Sequence, residues 1–101
     1  MNKLDIDAIH RALASPVRRN ILAWLRTPHD YFEAQPVPFS LGVGIALVET
    51  LTGLAQSTVS AHLTVLRNAG LIRAHQLGRA TFLQRDEQTI QGFISHMRNV
   101  M

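Results

Sequence analysis

Gln56-Ser57-Thr58-Val59-Ser60-Ala61-His62-Leu63-Thr64-Val65-Leu66-Arg67-Asn68-Ala69-Gly70 is the stretch on which the fold turns. Val59, Leu63 and Leu66 recur at helical spacing and make one apolar stripe, so the run reads as an amphipathic helix buried along one side. Its opposite side presents Ser57, Ala61, Thr64 and Asn68, flanked by Thr58 and Ser60, with Gln56 at the start. Ala69-Gly70 closes the helix, glycine being the residue that enters a left-handed C-cap without a Cβ penalty.

Upstream, Val43 to Thr52 reads as another helix, with Leu47, Val48 and Leu51 turned inward. Gly53-Leu54-Ala55 is the turn between the two. Residues 43–70 are therefore helix, tight glycine turn, helix, the unit whose second helix enters a DNA groove. Downstream, Leu71–Leu77 and Ala80–Arg85 flank Gly78-Arg79, a two-residue Gly-X loop that favours a type II′ hairpin. Pairing Leu77 with Ala80 puts Ile72, Ala74 and Leu83 on one face. Arg73, His75, Phe82 and Gln84 then share the other, with Arg79 at the tip. The hairpin over 71–85 is a wing.

The ends supply two more amphipathic helices. Residues 5–13 carry Ile6, Ile9 and Leu13 at a period near 3.6, and 86–100, opened by Asp86, carry Ile90, Phe93, Ile94 and Met97. Between 5–13 and the central unit, Ser15 caps and Pro16 opens a helix lined by Val17, Ile21, Leu22, Trp24 and Leu25, which Thr27-Pro28 ends. The expected fold is mainly α with a small β-hairpin wing: a winged helix-turn-helix of about five helices and two antiparallel strands, in one domain over 1–101. Residues 27–42 interrupt this rhythm. Pro28, Pro36 and Pro38 forbid a continuous helix, while Tyr31, Phe32 and Phe39 are too apolar for a plain linker. Either an ordered loop tucked onto the body or a ligand- or partner-responsive loop fits.

Charge placement is more informative than net charge, which is only +3. Up to residue 49 the bases Lys3, Arg11, Arg18, Arg19 and Arg26 are balanced by Asp5, Asp7, Asp30, Glu33 and Glu49. From residue 50 to 85 there is no acid, but Arg67, Arg73, Arg79 and Arg85 with His62 and His75. A one-signed segment is either a solvated basic face or a surface for a polyanion, and the helix-turn-helix and wing in that segment favour the polyanion. Gln and Asn suit adenine edges, and Ser and Thr accept several partners, in the major groove. The candidate contacts to double-stranded DNA are Gln56, Ser57, Thr58, Ser60, Ala61, His62, Thr64, Asn68, Arg73, His75 and Arg79. Arg18 and Arg19 are ambiguous between solvated or paired cations and phosphate contacts. His62, at the edge of the stripe, is equally a packing residue.

The sequence contains no cysteine, so disulfides and thiolate metal sites are excluded. No apolar run approaches a membrane span, and residues 1–15 carry acids, so a soluble cytoplasmic protein with no membrane contact is expected. No nucleophile–base pair or phosphate loop is recognisable, which argues against an enzyme, and no cofactor is expected.

Leu54-Ala55-Gln56 through Gly70-Leu71-Ile72 resembles the recognition helix of the ArsR/SmtB family of repressors. Ala14-Ser15-Pro16-Val17-Arg18-Arg19-Asn20-Ile21-Leu22 resembles that family's first signature, and Gly78-Arg79 its wing turn. The resemblance covers most of residues 8–85. It implies a winged-helix homodimer joined through its first and last helices, repressing transcription until an effector loosens its hold on DNA. The dimer contacts would come from Ile6, Ile9, Leu13, Ile90, Phe93, Ile94 and Met97, and two-fold pairing suits a palindromic operator. Two features depart from the family's metal sensors. The 27–42 segment is long, and Val48, Glu49 and Leu51 stand where many of those sensors carry cysteines. The terminal helices offer Asp5, Asp7, His10, Asp86, Glu87 and His96, but no His pair at i, i+3 or i+4, so no metal site is assigned. A non-thiolate small effector is the leading expectation; a His/carboxylate metal sensor and a winged-helix protein-interaction module are the alternatives.

Overall fold

The computed structural model describes residues 4–101. The chain runs α1 (Ile6–Leu13), α2 (Pro16–Arg26), β1 (Val43–Gly44), α3 (Ile45–Thr52), α4 (Gln56–Asn68), β2 (Ile72–Leu77), β3 (Ala80–Arg85) and α5 (Glu87–Val100). Five helices and the hairpin appear where the sequence places them, with one addition: the sheet has three strands, in the order β1-β3-β2.

Local chemistry fixes the element ends. The Asp5 carboxylate accepts from Ala8 N–H at 3.0 Å and the Ser15 hydroxyl from Arg18 N–H at 3.3 Å. Asp86 accepts from Thr89 N–H at 3.1 Å and opens α5. Each satisfies an N–H that its helix leaves without an internal partner. At the end of α4, Gly70 has φ +77°, its N–H bonds to Arg67 O at 2.9 Å, and Leu71 N–H bonds to Leu66 O at 3.0 Å. This paired closure is the Schellman motif, and Leu66 and Leu71, both buried, supply its hydrophobic contact.

The core is assembled from α1, α2, α4 and the inner face of the sheet. Ile9, Ile21, Val48, Val59, Leu66, Leu71, Leu83 and Val43 are its most enclosed side chains. In the hairpin, Leu77 pairs with Ala80 and Ala74 with Leu83, the expected register. Gly78 has φ +64° while Arg79 stays at negative φ, as a type II′ turn requires.

Four expectations are corrected. Val43 and Gly44 are strand, not helix: they pair with Leu83 and Phe82, and α3 begins only at Ile45. Leu51 points outward with 41% of its surface exposed, because the eight-residue α3 meets the core mainly through Val48. Phe82 shares a face with His75 as expected, but it is only 6% exposed. It lies against Gly44, which has no side chain to displace it, and stacks with His75 at 6.3 Å between ring centroids. Ile9, expected at a dimer seam, is wholly buried in this chain's own core.

Segment 27–42 is ordered. It contains single 3-10 turns at Pro28–Asp30 and Phe39–Leu41. Phe32 enters the core, Phe39 sits 6.3 Å from it, and His29 meets the Phe39 edge at 4.9 Å. The Gln35 side chain donates to Gly42 O at 2.7 Å and accepts from Gly44 N–H at 2.9 Å. Its amide thereby occupies the free edge of β1, where another strand would otherwise bond.

Candidate nucleic-acid interface

α4 buries Val59, Leu63 and Leu66 and leaves Gln56, Ser57, Thr58, Ser60, Ala61, Thr64 and Asn68 exposed. The structure thus gathers the polar residues assigned from the sequence onto one uninterrupted surface. No side chain caps the start of α4, since residue 55 is alanine, so the first N–H groups stay available to an acceptor. The Thr64 hydroxyl donates to Ser60 O at 2.9 Å, which leaves its oxygen free to accept. Val65 is exposed beside these residues, an apolar group the sequence reading left aside and one suited to a thymine methyl.

The wing stands next to this surface. Arg79 is exposed at its tip, and Arg73 is exposed on β2 opposite Gln84. His75 is half-buried. Gln84 is tied to the loop through a 3.0 Å bond to Ser40 O, which steadies the outer face of the hairpin. Between α4 and the wing lies a notch of about 210 Å³ lined by Arg67, Ala74, His75, Gln76 and Thr81. Arg67 and Gln76 were not among the sequence-assigned contacts. Arg67 precedes Asn68 on the helix, and only the packing of α4 on β2 makes it face the wing.

Other arginines are withdrawn from that surface. Arg85 binds both carboxylate oxygens of Glu87, at 2.7 and 3.1 Å, and donates to Leu22 O at 3.3 Å. Its place in the acid-free segment suggested a polyanion contact; instead it staples the wing's end to α2 and the first turn of α5. Among the described residues this is the sole ion pair, so Arg67, Arg73 and Arg79 carry uncompensated charge. Arg19 donates to Leu13 O at 2.7 Å, and Arg18 donates to Ala12 O at 2.8 Å and Arg11 O at 3.0 Å. Together they satisfy carbonyls at the end of α1, where cations also complement the helix dipole. The third contact of Arg18 is with His62 Nδ1, at 3.1 Å.

The residues expected at a dimer seam separate into two groups. Ile9 and Leu13 pack with the core, and Ile90 and Phe93 lean against it. Ile6 and Met97 are half-exposed and Ile94 is 41% exposed. Within the chain α5 meets α1 through Phe93, whose ring sits edge-to-face with His10 at 5.3 Å, and meets Leu4, just ahead of α1, at Gly92. No residue of α5 is fully buried, despite its apolar stripe. Among the described residues, no three His, Asp or Glu side chains converge in a way that could hold a metal ion, and no helix is long and apolar enough to cross a membrane.

Comparison with known proteins bears on the same region. A family model described as "Bacterial regulatory protein, arsR family" matches residues 49–74, which span the end of α3, all of α4 and the start of β2. The chain is 34% identical over 84 residues to the HTH-type transcriptional regulator YbzH of Bacillus subtilis (strain 168), itself uncharacterized, covering 81% of this chain and 84% of that one. Its backbone is similar to the crystal structure of an ArsR family transcriptional regulator, with TM-score 0.65, 20% identity and coverage of 94% of this chain and 88% of the other. It is similar also to HlyU from Vibrio cholerae N16961, with TM-score 0.61, 20% identity and coverage of 93% and 90%. NolR from Sinorhizobium fredii gives TM-score 0.63, 18% identity and coverage of 93% and 81%. At such identities the likeness to the three structures concerns the fold.

Proposed function

This chain belongs to the arsR family of bacterial regulatory proteins, DNA-binding transcriptional regulators, and on that footing we propose that it is a homodimeric repressor of a palindromic operator, released by a non-thiolate effector. Gln56, Ser57, Thr58, Ser60, Ala61, Thr64 and Asn68 read the major groove. Arg79 and Arg73 hold the flanking backbone through the wing, and Arg67 and His75 line the notch between. The observation that carries this reading is the coincidence, on one side of the molecule, of an uncapped polar helix and arginines that have no acid partner among the described residues.

Packing supports pairing through α5. A small domain gains core by association, and among the described residues α5 leaves Ile94 exposed and Met97 only half-covered. Two-fold pairing sets the two copies of α4 about one helical turn of DNA apart, roughly 34–36 Å, so the operator is an inverted repeat. With no cysteine, release does not pass through a thiolate.

Selection of bound duplexes from a random pool tests the reading. Enrichment of an inverted repeat, bound by two chains in sedimentation with affinity falling as salt rises, is the expected result. Binding without sequence preference, or none, overturns it. Release trials on that duplex with divalent metals, oxidants and small metabolites then identify the effector class.

A further inference from the structure

Arg18 lies on α2, remote in sequence from α4, yet its guanidinium ends on a residue of the reading helix. Nε donates to Ala12 O at 2.8 Å and Nη2 to Arg11 O at 3.0 Å, which fixes the fork against the end of α1. The remaining arm, Nη1, is 3.1 Å from His62 Nδ1. A guanidinium carries donors only, so Nδ1 is the acceptor of this bond and the ring's proton sits on Nε2. Nε2 makes no hydrogen bond within the described residues. It is not enclosed, because His62 is half-buried and no buried side-chain nitrogen among those residues lacks a partner. On the helical wheel His62 shares a flank of α4 with Thr58 and Val65, both exposed, on the side away from Arg67 and the wing notch.

From this geometry we infer that Arg18 is a positioning residue for DNA recognition, holding His62 as an Nε2–H donor aimed at a hydrogen-bond acceptor of the duplex. The inference rests on α4 being the reading helix. Arg18 acts from behind the reading helix: each of its three nitrogens spends one N–H inside the protein, three of the five donors, and its charge acts through the imidazole. It also ties the carbonyl end of α1 to the reading helix, so displacement of α1 moves a group on α4 that another element holds by a side-chain bond.

The test uses the full chain, the duplex recovered by selection, and the variants Arg18→Ala, Arg18→Lys, His62→Ala and the double Arg18→Ala/His62→Ala. Long-range proton–nitrogen spectra of free protein at about pH 8, above the ordinary imidazole range, report the ring directly. The native ring is expected as the Nε2–H form, with the Nδ1 signal moving toward that of free imidazole in Arg18→Ala. Each single alanine variant is expected to bind the duplex about tenfold more weakly, and the double variant no worse than either, because both remove the same contact. The salt slope should stay at its native value in Arg18→Ala, whereas loss of a direct phosphate contact lowers it by about one. Lysine, a point charge without the fork, should fail to restore affinity. Single base-pair replacements locate the acceptor: a loss confined to one position identifies a base edge, and a uniform loss a phosphate oxygen.

An unmoved Nδ1 signal, losses that multiply in the double variant, or a lowered salt slope in Arg18→Ala overturns the role of Arg18 while leaving α4 as the reading helix. Failure of the unaltered chain to bind any duplex removes the reading itself, and the inference with it.

Discussion

α4 and α5 are nearly the same length, 13 and 14 residues, and both are amphipathic. Their fates differ. α4 has its whole apolar stripe enclosed by α1, α2, α3 and the sheet, and what it leaves exposed is mostly hydroxyls, amides and an arginine, with Ala61 and Val65 among them. α5 has no enclosed residue, and what it leaves exposed includes Ile94 and half of Met97. A helix finished on its apolar side and open on its polar side is suited to a polar, charged ligand. One left open on its apolar side is suited to another protein surface. Two helices of similar composition thus point to different partners, and the contrast comes from what packs against them rather than from propensity.

Placing a charge on the unfinished stripe is the sharpest way to break that contrast. Ile94→Glu should leave the fold of the chain intact, because Ile94 lies outside the enclosed core, but convert a dimer to monomers in sedimentation. Loss of the second reading helix should then weaken binding to a two-half-site operator by about 10²–10⁴-fold, the advantage that linked sites confer. Unchanged mass and affinity would mean that α5 is covered some other way. The complementary change on α4, Leu66→Ala, should act on folding instead. Leu66 is fully enclosed and forms the hydrophobic contact of the Schellman closure, so truncation should cost about 2–5 kcal/mol in urea denaturation. A cost under about 1 kcal/mol would show that the stripe is not the anchor of the reading helix.

A smaller effect is expected at the wing. Arg79→Ala should leave stability within about 0.5 kcal/mol, as for surface sites generally. It should reduce affinity on every duplex alike and lower the salt slope by about one if the tip holds a phosphate. A loss restricted to particular sequences would place Arg79 on a base edge in the minor groove.

The pattern of what the sequence reveals follows from range. Ser15, Asp86, Gly70 and Gly78 act within a few residues of themselves, and each does in the structure what its chemistry dictates locally. The polar face of α4 was legible for the same reason, since three apolar residues at helical spacing fix which side is out. Contacts between distant segments were not. Arg18 reaches His62 across 44 positions and Arg85 reaches Leu22 across 63, and neither has a signature along the chain. An arginine's destination depends on which carbonyl or carboxylate the fold brings near it. That is why Arg85 looked like part of a DNA surface and proved to be a staple. Val43-Gly44 is too short for any period to show, and its strand exists only because β3 presents an edge.

That short strand sets the smallest and most local test of the contrast between enclosed and open surfaces. Gln35 covers the free edge of β1 with one amide, donating to Gly42 O and accepting from Gly44 N–H, much as a fourth strand would. Gln35→Ala removes both bonds; Gly44 is half-exposed and can turn to water, while Gly42 is buried and its carbonyl loses its partner, so the cost is about 1–3 kcal/mol. The change should appear as faster hydrogen exchange at Gly44 N–H, with α4 unaffected because no bond joins Gln35 to it. Gln35→Glu sharpens the result. It keeps the acceptor for Gly44 N–H and loses the donor for Gly42 O, placing a carboxylate oxygen against a carbonyl, and so should be at least as destabilising as alanine. If glutamate proves as stable as the native glutamine, the bond to Gly44 alone holds the edge, and the loop between α2 and β1 is anchored by Phe32 in the core more than by its polar cap.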